Sequence, residues 1–180
     1  GFTPRFGGQV DDTAGTLGLR GELPFGAGVS YDVSFQHGRN EVSYFIFNTI
    51  NASLGPDTPT EFNPGGYIQR ERLFNADFSY PLETGLFASP LNIAVGYERR
   101  NERFEIVAGD PASFALGELA DPDAFAAFPS GQGFSTSSNG FPGFSTAIAG
   151  AAERVSNSIY LDLETDVTDR LTAQGAVRFE

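Results

Sequence analysis

The chain has 180 residues, a net charge of −12 and a pI of about 4.4. That acidity argues against a nucleic-acid backbone as partner, which needs a basic face. Cysteine is absent, which argues against a disulfide scaffold and a thiolate metal site, and no stretch reaches the roughly 18 apolar residues of a membrane helix.

Apolar residues recur at spacing two, and almost nothing reads as helix. The first strand runs from Thr16 to Leu23, with Leu17, Leu19 and Leu23 on one face and Gly18, Arg20 and Glu22 on the other. Pro24-Phe25-Gly26 is a turn. Next, Val29, Tyr31, Val33 and Phe35 alternate with Ser30, Asp32, Ser34 and Gln36. At His37-Gly38-Arg39 the apolar parity slips by one, and Val42, Tyr44 and Ile46 take over. A slip at glycine predicts a β-bulge inside one long strand. Residues 51–66 read as a loop rich in Pro, Asn, Asp, Thr and Gly.

Ile68 to Tyr80 is the third strand, with Phe74, Ala76, Phe78 and Tyr80 on its apolar face. After a turn at 81–90, Leu91, Ile93, Val95 and Tyr97 alternate with Asn92, Ala94, Gly96 and Glu98. Residues 107–157 lose the alternation and read as a very long loop. Ile159, Leu161, Leu163, Thr165 and Val167 then alternate with Tyr160, Asp162, Glu164 and Asp166. Thr168-Asp169-Arg170 is a turn, and Leu171 to Phe179 form the sixth strand. The chain begins without methionine or a signal peptide and stops inside this strand, so a piece of a longer protein is expected.

The connections alternate short and long along the chain. In an up-and-down sheet this puts all short turns at one end and all long loops at the other, as in transmembrane barrels. A spanning strand needs only about 9–11 tilted residues with every second one apolar, which suits a mean hydropathy of −0.18. The expected fold is therefore all-β: part of an antiparallel up-and-down transmembrane β-barrel, about six strands of a larger one. Residues 51–66 and 107–157 would be its long extracellular loops.

Candidate residues follow from this frame. Placing Tyr80 opposite Leu91 sets Glu71 against Arg100 on the polar face, and Val167 opposite Leu171 sets Tyr160 against Arg178. Glu71, Asp77, Arg100, Asp162, Glu164, Asp166 and Arg178 would line a polar lumen. The bland alternative is ordinary sheet stabilisation; the functional one is a wall that packs a plug or conducts a solute. The same register sets Arg72 against Arg99 on the apolar face. These two would mark the outer interface and meet lipopolysaccharide phosphate. A register one step different, or pairing with Glu71 or Glu102, would remove that reason. Catalysis finds little support: His37 is the single histidine, and Asp162, Glu164 and Asp166 lack the loop spacing of a Ca²⁺ site. No enzyme, metal or cofactor is expected.

Several runs resemble the barrel of TonB-dependent outer-membrane receptors. They are Asn48-Thr49-Ile50-Asn51-Ala52-Ser53-Leu54-Gly55 with Pro59-Thr60-Glu61-Phe62, and Asn75-Ala76-Asp77-Phe78-Ser79-Tyr80-Pro81 leading to Pro90-Leu91-Asn92-Ile93-Ala94. Tyr97-Glu98-Arg99-Arg100 before Gly109-Asp110, Ser138-Asn139-Gly140-Phe141-Pro142-Gly143-Phe144, and Asp162 through Leu171 are similar. The resemblance implies a Gram-negative outer-membrane location and a barrel of about 22 strands filled by a plug. It also implies energised import of a scarce small solute of the siderophore, cobalamin or oligosaccharide class through TonB. The partners so implied are outer-membrane lipid and lipopolysaccharide, the rest of the barrel and plug, TonB through that plug, and the solute. Phe134, Phe141 and Phe144 are the ligand-contact candidates, with loop self-packing as the alternative. A passive porin-like barrel and a soluble β-rich binding or adhesion module remain the competing functions.

Overall fold

The computed structural model describes residues 3–121 and 133–180. Six strands form one antiparallel up-and-down sheet in sequence order: β1 (Arg5–Leu23), β2 (Val29–Phe47), β3 (Glu61–Leu82), β4 (Leu91–Ala108), β5 (Gly150–Thr168) and β6 (Leu171–Phe179). The expected strand count and order hold. Each strand pairs only with its sequence neighbours, so β1 and β6 are the two edges.

The chain divides into two compact units. One, the loop unit, comprises Gly1–Thr13, Arg39–Gln69 and Arg103–Ala152; the other, the turn unit, comprises Ala14–Gly38, Arg70–Glu102 and Glu153–Glu180. Both long connections, 48–60 and 109–149, belong to the loop unit, and the short ones, 24–28, 83–90 and 169–170, belong to the turn unit.

The strands are longer than alternation indicated. β1 begins at Arg5 instead of Thr16, β3 at Glu61, and β5 at Gly150, while β4 runs to Ala108. The loops expected at 51–66 and 107–157 shrink accordingly; residues 122–132 of the second lie outside the described residues. The reason is that the two faces of these strand ends do not differ in polarity. In the loop unit the chain 138–148 lies against strand side chains, so residues on that face are apolar too and the period-two signal disappears. The Asn63-Pro64-Gly65-Gly66 run looks like a turn yet lies inside β3. Gly66 sits so close to the Val42 carbonyl that a Cβ would collide with it, so glycine here serves close backbone approach.

The expected bulge at His37–Arg39 is a second difference. β2 is one uninterrupted strand, and its registration against β1 is the same in each unit. In the turn unit Gly21 lies under Tyr31 and Gly18 against Ser34; in the loop unit Asn40 Nδ2 donates to Asp12 Oδ1 at 2.7 Å, and Gly8 and Gly7 lie under Tyr44 and Phe45. Each step along β1 matches one step along β2, so no residue is inserted. The parity slip instead records a change of partner. Ile46 (1% exposed) and Tyr44 meet loop residues, while Phe45 and Phe47 continue the opposite, exposed row.

In the last hairpin Tyr160 pairs with Arg178 as expected. The register shifts between Asp166 and Thr168, and Thr168, not Val167, faces Leu171. Val167 is the extra residue. It lets β5 end in a two-residue turn at Asp169-Arg170 while the Asp166 backbone is held by the 83–90 turn: its carbonyl accepts from Ala88 N at 2.8 Å and its N–H donates to Ser89 Oγ at 2.9 Å.

Candidate functional site

The turn unit has two chemically opposite faces. Strand alternation puts Arg20, Glu22, Ser30, Asp32, Asp77, Ser79 and Tyr160 on one of them, and these side chains surround a polar concavity of about 630 Å³. The Tyr160 hydroxyl donates to Asp77 Oδ1 at 3.0 Å. Its ring lies across Gly96, where any Cβ would meet both the ring and the Asp77 carboxylate. Gly96 therefore makes room for a cross-strand clasp of β3 and β5 over β4. Gly96→Ala is expected to displace Tyr160 and cost about 1–3 kcal/mol. Tyr160→Phe, which keeps the ring, should cost only about 1 kcal/mol. Urea unfolding of both variants checks the order; equal midpoints would remove the clasp.

Further along the same face a charged network crosses three elements. Arg178 Nη2 donates to Glu98 Oε1 at 3.2 Å and to Ser158 Oγ at 3.1 Å, and its Nε to Glu180 Oε1 at 2.9 Å. Arg100 Nη2 lies 3.5 Å from the same Glu98 oxygen. Arg154 Nε donates to Glu102 Oε2 at 2.9 Å. Asp162 accepts from Gln174 Nε2 at 3.1 Å, and Asp166 from Thr172 Oγ1 at 2.6 Å. Glu164 is exposed and pairs in register with Gln174; Glu71 is half-buried on the odd-numbered side of β3 that carries Asp77. Asp77, Asp162, Asp166 and Arg178 thus make cross-strand polar contacts, and Arg100 reaches Glu98 along its own strand. Sequence reasoning missed Arg154–Glu102 because Arg154 fell in the stretch read as loop.

The opposite face is apolar and open. Leu17 (78% exposed), Leu19, Phe35, Phe78, Ile159 and Val177 project from it. Arg72 and Arg99 also lie on this side by alternation, and both are exposed. Arg99 Nη1 reaches Asn157 Oδ1 at 3.4 Å, the same oxygen that accepts from the Tyr97 hydroxyl at 2.8 Å. The Phe74 and Tyr97 rings are neighbours across β3 and β4, with centroids 6.3 Å apart. That contact agrees with the register placing Arg72 beside Arg99.

Comparison of the chain with protein-family models, curated proteins and solved structures returns no match.

The loop unit carries the other candidates. Phe141 and Phe144 belong to one aromatic cluster with Phe6, Tyr44, Tyr67 and Phe104; Phe6 and Phe141 are 4.4 Å apart, Tyr67 and Phe144 4.9 Å. Phe134 is 38% exposed, and its backbone N–H donates to the Leu119 carbonyl at 2.8 Å. A buried polar network, which no motif indicated, fixes this region. Asn51 Nδ2 donates to the Ala112 and Ala115 carbonyls at 2.9 and 3.0 Å, and its Oδ1 accepts from Ser53 Oγ at 2.7 Å. Ser53 Oγ accepts from Gly117 N at 3.0 Å, and Thr49 Oγ1 donates to the Asn139 carbonyl at 2.6 Å. The two long connections are thereby cross-bonded into one body, with Phe141 and Phe144 held against strand aromatics.

Proposed function

We propose that this chain is a sector of the wall of an outer-membrane β-barrel, in a TonB-dependent receptor that imports a scarce small solute. The observation that carries the barrel half is the open apolar face of the turn unit. Its strands present rows of exposed Leu, Ile, Val and Phe side chains, opposite a polar, ion-paired face. A contiguous apolar surface of that extent is a liability in water and suits hydrocarbon. Sorting of the connections by length supports the same reading. The unpaired edges of β1 and β6 would continue into further strands of the wall.

The transport half rests on the resemblance of the strand and loop motifs. In that reading the polar face lines the lumen and meets the plug and the passing solute. The loop unit is extracellular, and TonB acts through the plug.

The chain has no cysteine, so single cysteines at positions 159 to 164 of β5 make a clean test. Fluorophores at 159, 161 and 163 should be quenched by brominated lipid, and those at 160, 162 and 164 by aqueous iodide. Uniform iodide quenching would sink the membrane reading. Accumulation of solute against its gradient that stops when TonB is removed separates energised import from a passive channel.

A further inference from the structure

Asn139-Gly140 is the single Asn-Gly step of the chain. It forms an exposed turn, with Gly140 at φ +103°, a conformation that glycine adopts without strain. The preceding residue is anchored: Ser138 N donates to the Ser113 carbonyl at 2.9 Å, and Ser138 Oγ to the Phe141 carbonyl at 2.6 Å. Asn139 itself lies on the seam between the two long connections. Its N–H donates to the Ile50 carbonyl at 3.0 Å, and its carbonyl accepts at 2.6 Å from Oγ1 of Thr49, a residue only 1% exposed. Among the described residues nothing bonds the Asn139 side-chain amide, and nothing accepts from the Gly140 N–H.

Those two free groups are the partners of one reaction. The Gly140 nitrogen, on losing its proton, attacks Cγ of Asn139. A C–N bond closes a succinimide ring and ammonia leaves. Water then opens the ring at either carbonyl. One opening gives aspartate. The other gives isoaspartate, in which the chain runs through Cβ and Cγ and the former main-chain carbonyl has become a carboxylate. Any side chain on the following residue crowds the ring closure, and glycine has none. Other asparagines are protected. Asn51 has both amide donors bonded, Asn63 precedes Pro64, which has no N–H, and Asn40, Asn75, Asn92, Asn101 and Asn157 lie inside strands.

We propose that Asn139 is a site of spontaneous modification, deamidating to isoaspartate, and that the modified linkage loosens the seam between the long connections. The isoaspartyl linkage adds a methylene to the chain and sets an ionised carboxylate against the buried Thr49 hydroxyl, a costly placement. The aspartate product leaves the backbone path unchanged. The proposal stands whether or not the sheet faces a membrane.

The test ages the full-length protein in detergent micelles at mildly alkaline pH until a free peptide of residues 135–142 has converted. Isoaspartate is read by peptide mapping with isoaspartyl methyltransferase. Position 139 should carry more of it than all other asparagines together. Hydrogen exchange then reads the seam. The amides of Thr49 and Ser138, bonded to the Thr60 and Ser113 carbonyls, should exchange about tenfold faster in the aged protein, the effect of losing one or two hydrogen bonds. Asn139→Gln replaces an unbonded side chain and keeps both backbone bonds, so it should age without either change. Fresh Asn139→Asp carries the charge without the extra methylene and should exchange like fresh wild type. Absence of isoaspartate at 139 while the peptide converts overturns the site. Isoaspartate at 139 with unaltered exchange overturns the loosening, as does equal acceleration in aged Asn139→Gln or fresh Asn139→Asp.

Discussion

Asn51→Ala should release the 109–121 segment from the 48–60 connection. Asn51 is fully buried and its side chain makes four hydrogen bonds: two donated to the carbonyls of Ala112 and Ala115, two accepted from the N–H and hydroxyl of Ser53. Truncation orphans the Ala112 carbonyl and the Ser53 N–H and leaves the Ala115 carbonyl with only the Ser137 N–H, at 3.3 Å. At about 1–3 kcal/mol per orphaned group, with partial relaxation, the loss of local stability should be roughly 3–5 kcal/mol. Asn51→Asp gives the sharper comparison, because it keeps volume and shape. It removes both donors and sets a carboxylate against two carbonyl oxygens, so it should be at least as damaging as alanine. Native-state hydrogen exchange reads the effect: amides of Ser113, Gly117 and Ser138, which bond within this network, should exchange much faster. Leu161 and Val177, in the turn unit, should hardly change, since local openings are cooperative within a unit. Unaltered exchange at Gly117 would show that the Asn51 bonds do not hold the connections together.

That network also marks where the sequence becomes hard to read. In the turn unit each strand has one apolar and one polar face, so alternation gave the strand order, the two faces and the Tyr160–Arg178 pairing. In the loop unit the long connections cover one face of the strands while Phe45 and Phe47 stay exposed on the other, and periodicity carries no information when both sides carry apolar residues. Val42, Tyr44 and Ile46 therefore looked like a slipped register when they are the covered side of an unslipped strand. Asn63 to Gly66 looked like a loop because proline and glycine usually break strands, whereas here they allow backbones to meet. The Asn51 network left one local trace, an Asn two residues before Ser53, the pattern of a side-chain cap on a helical turn. Its partners at 112, 115 and 117 lie about sixty residues away, and no spacing rule reaches them. Phe141 and Phe144 stood out by aromatic character alone, which marks a cluster without saying what it packs against.

Leu161→Arg should distinguish a lipid-facing wall from a half-buried soluble sheet. The side chain is 36% exposed and faces Val177 across the β5/β6 ladder, near the middle of the apolar row between Asn157 and the turn. If water bathed that row, exchanging a partly exposed leucine for arginine would change stability by only about 0.5 kcal/mol. In a bilayer the same charge near the midplane costs roughly 2–4 kcal/mol. Two controls bracket the effect on the same strand. Asn157→Lys places the charge at the polar end of the row, where the cost should fall to about 0–1 kcal/mol. Asp162→Lys places it one residue away but on the opposite face, beside Ala176, where its loss is the Gln174 hydrogen bond and its effect should stay near 1 kcal/mol. Reversible urea unfolding of the full-length protein from lipid vesicles measures all three. A large penalty at 161 with small ones at 157 and 162 requires both the face assignment and the depth assignment to be right. Equal penalties at 161 and 162 would remove the distinction between the faces, and small penalties at all three would return the apolar row to water.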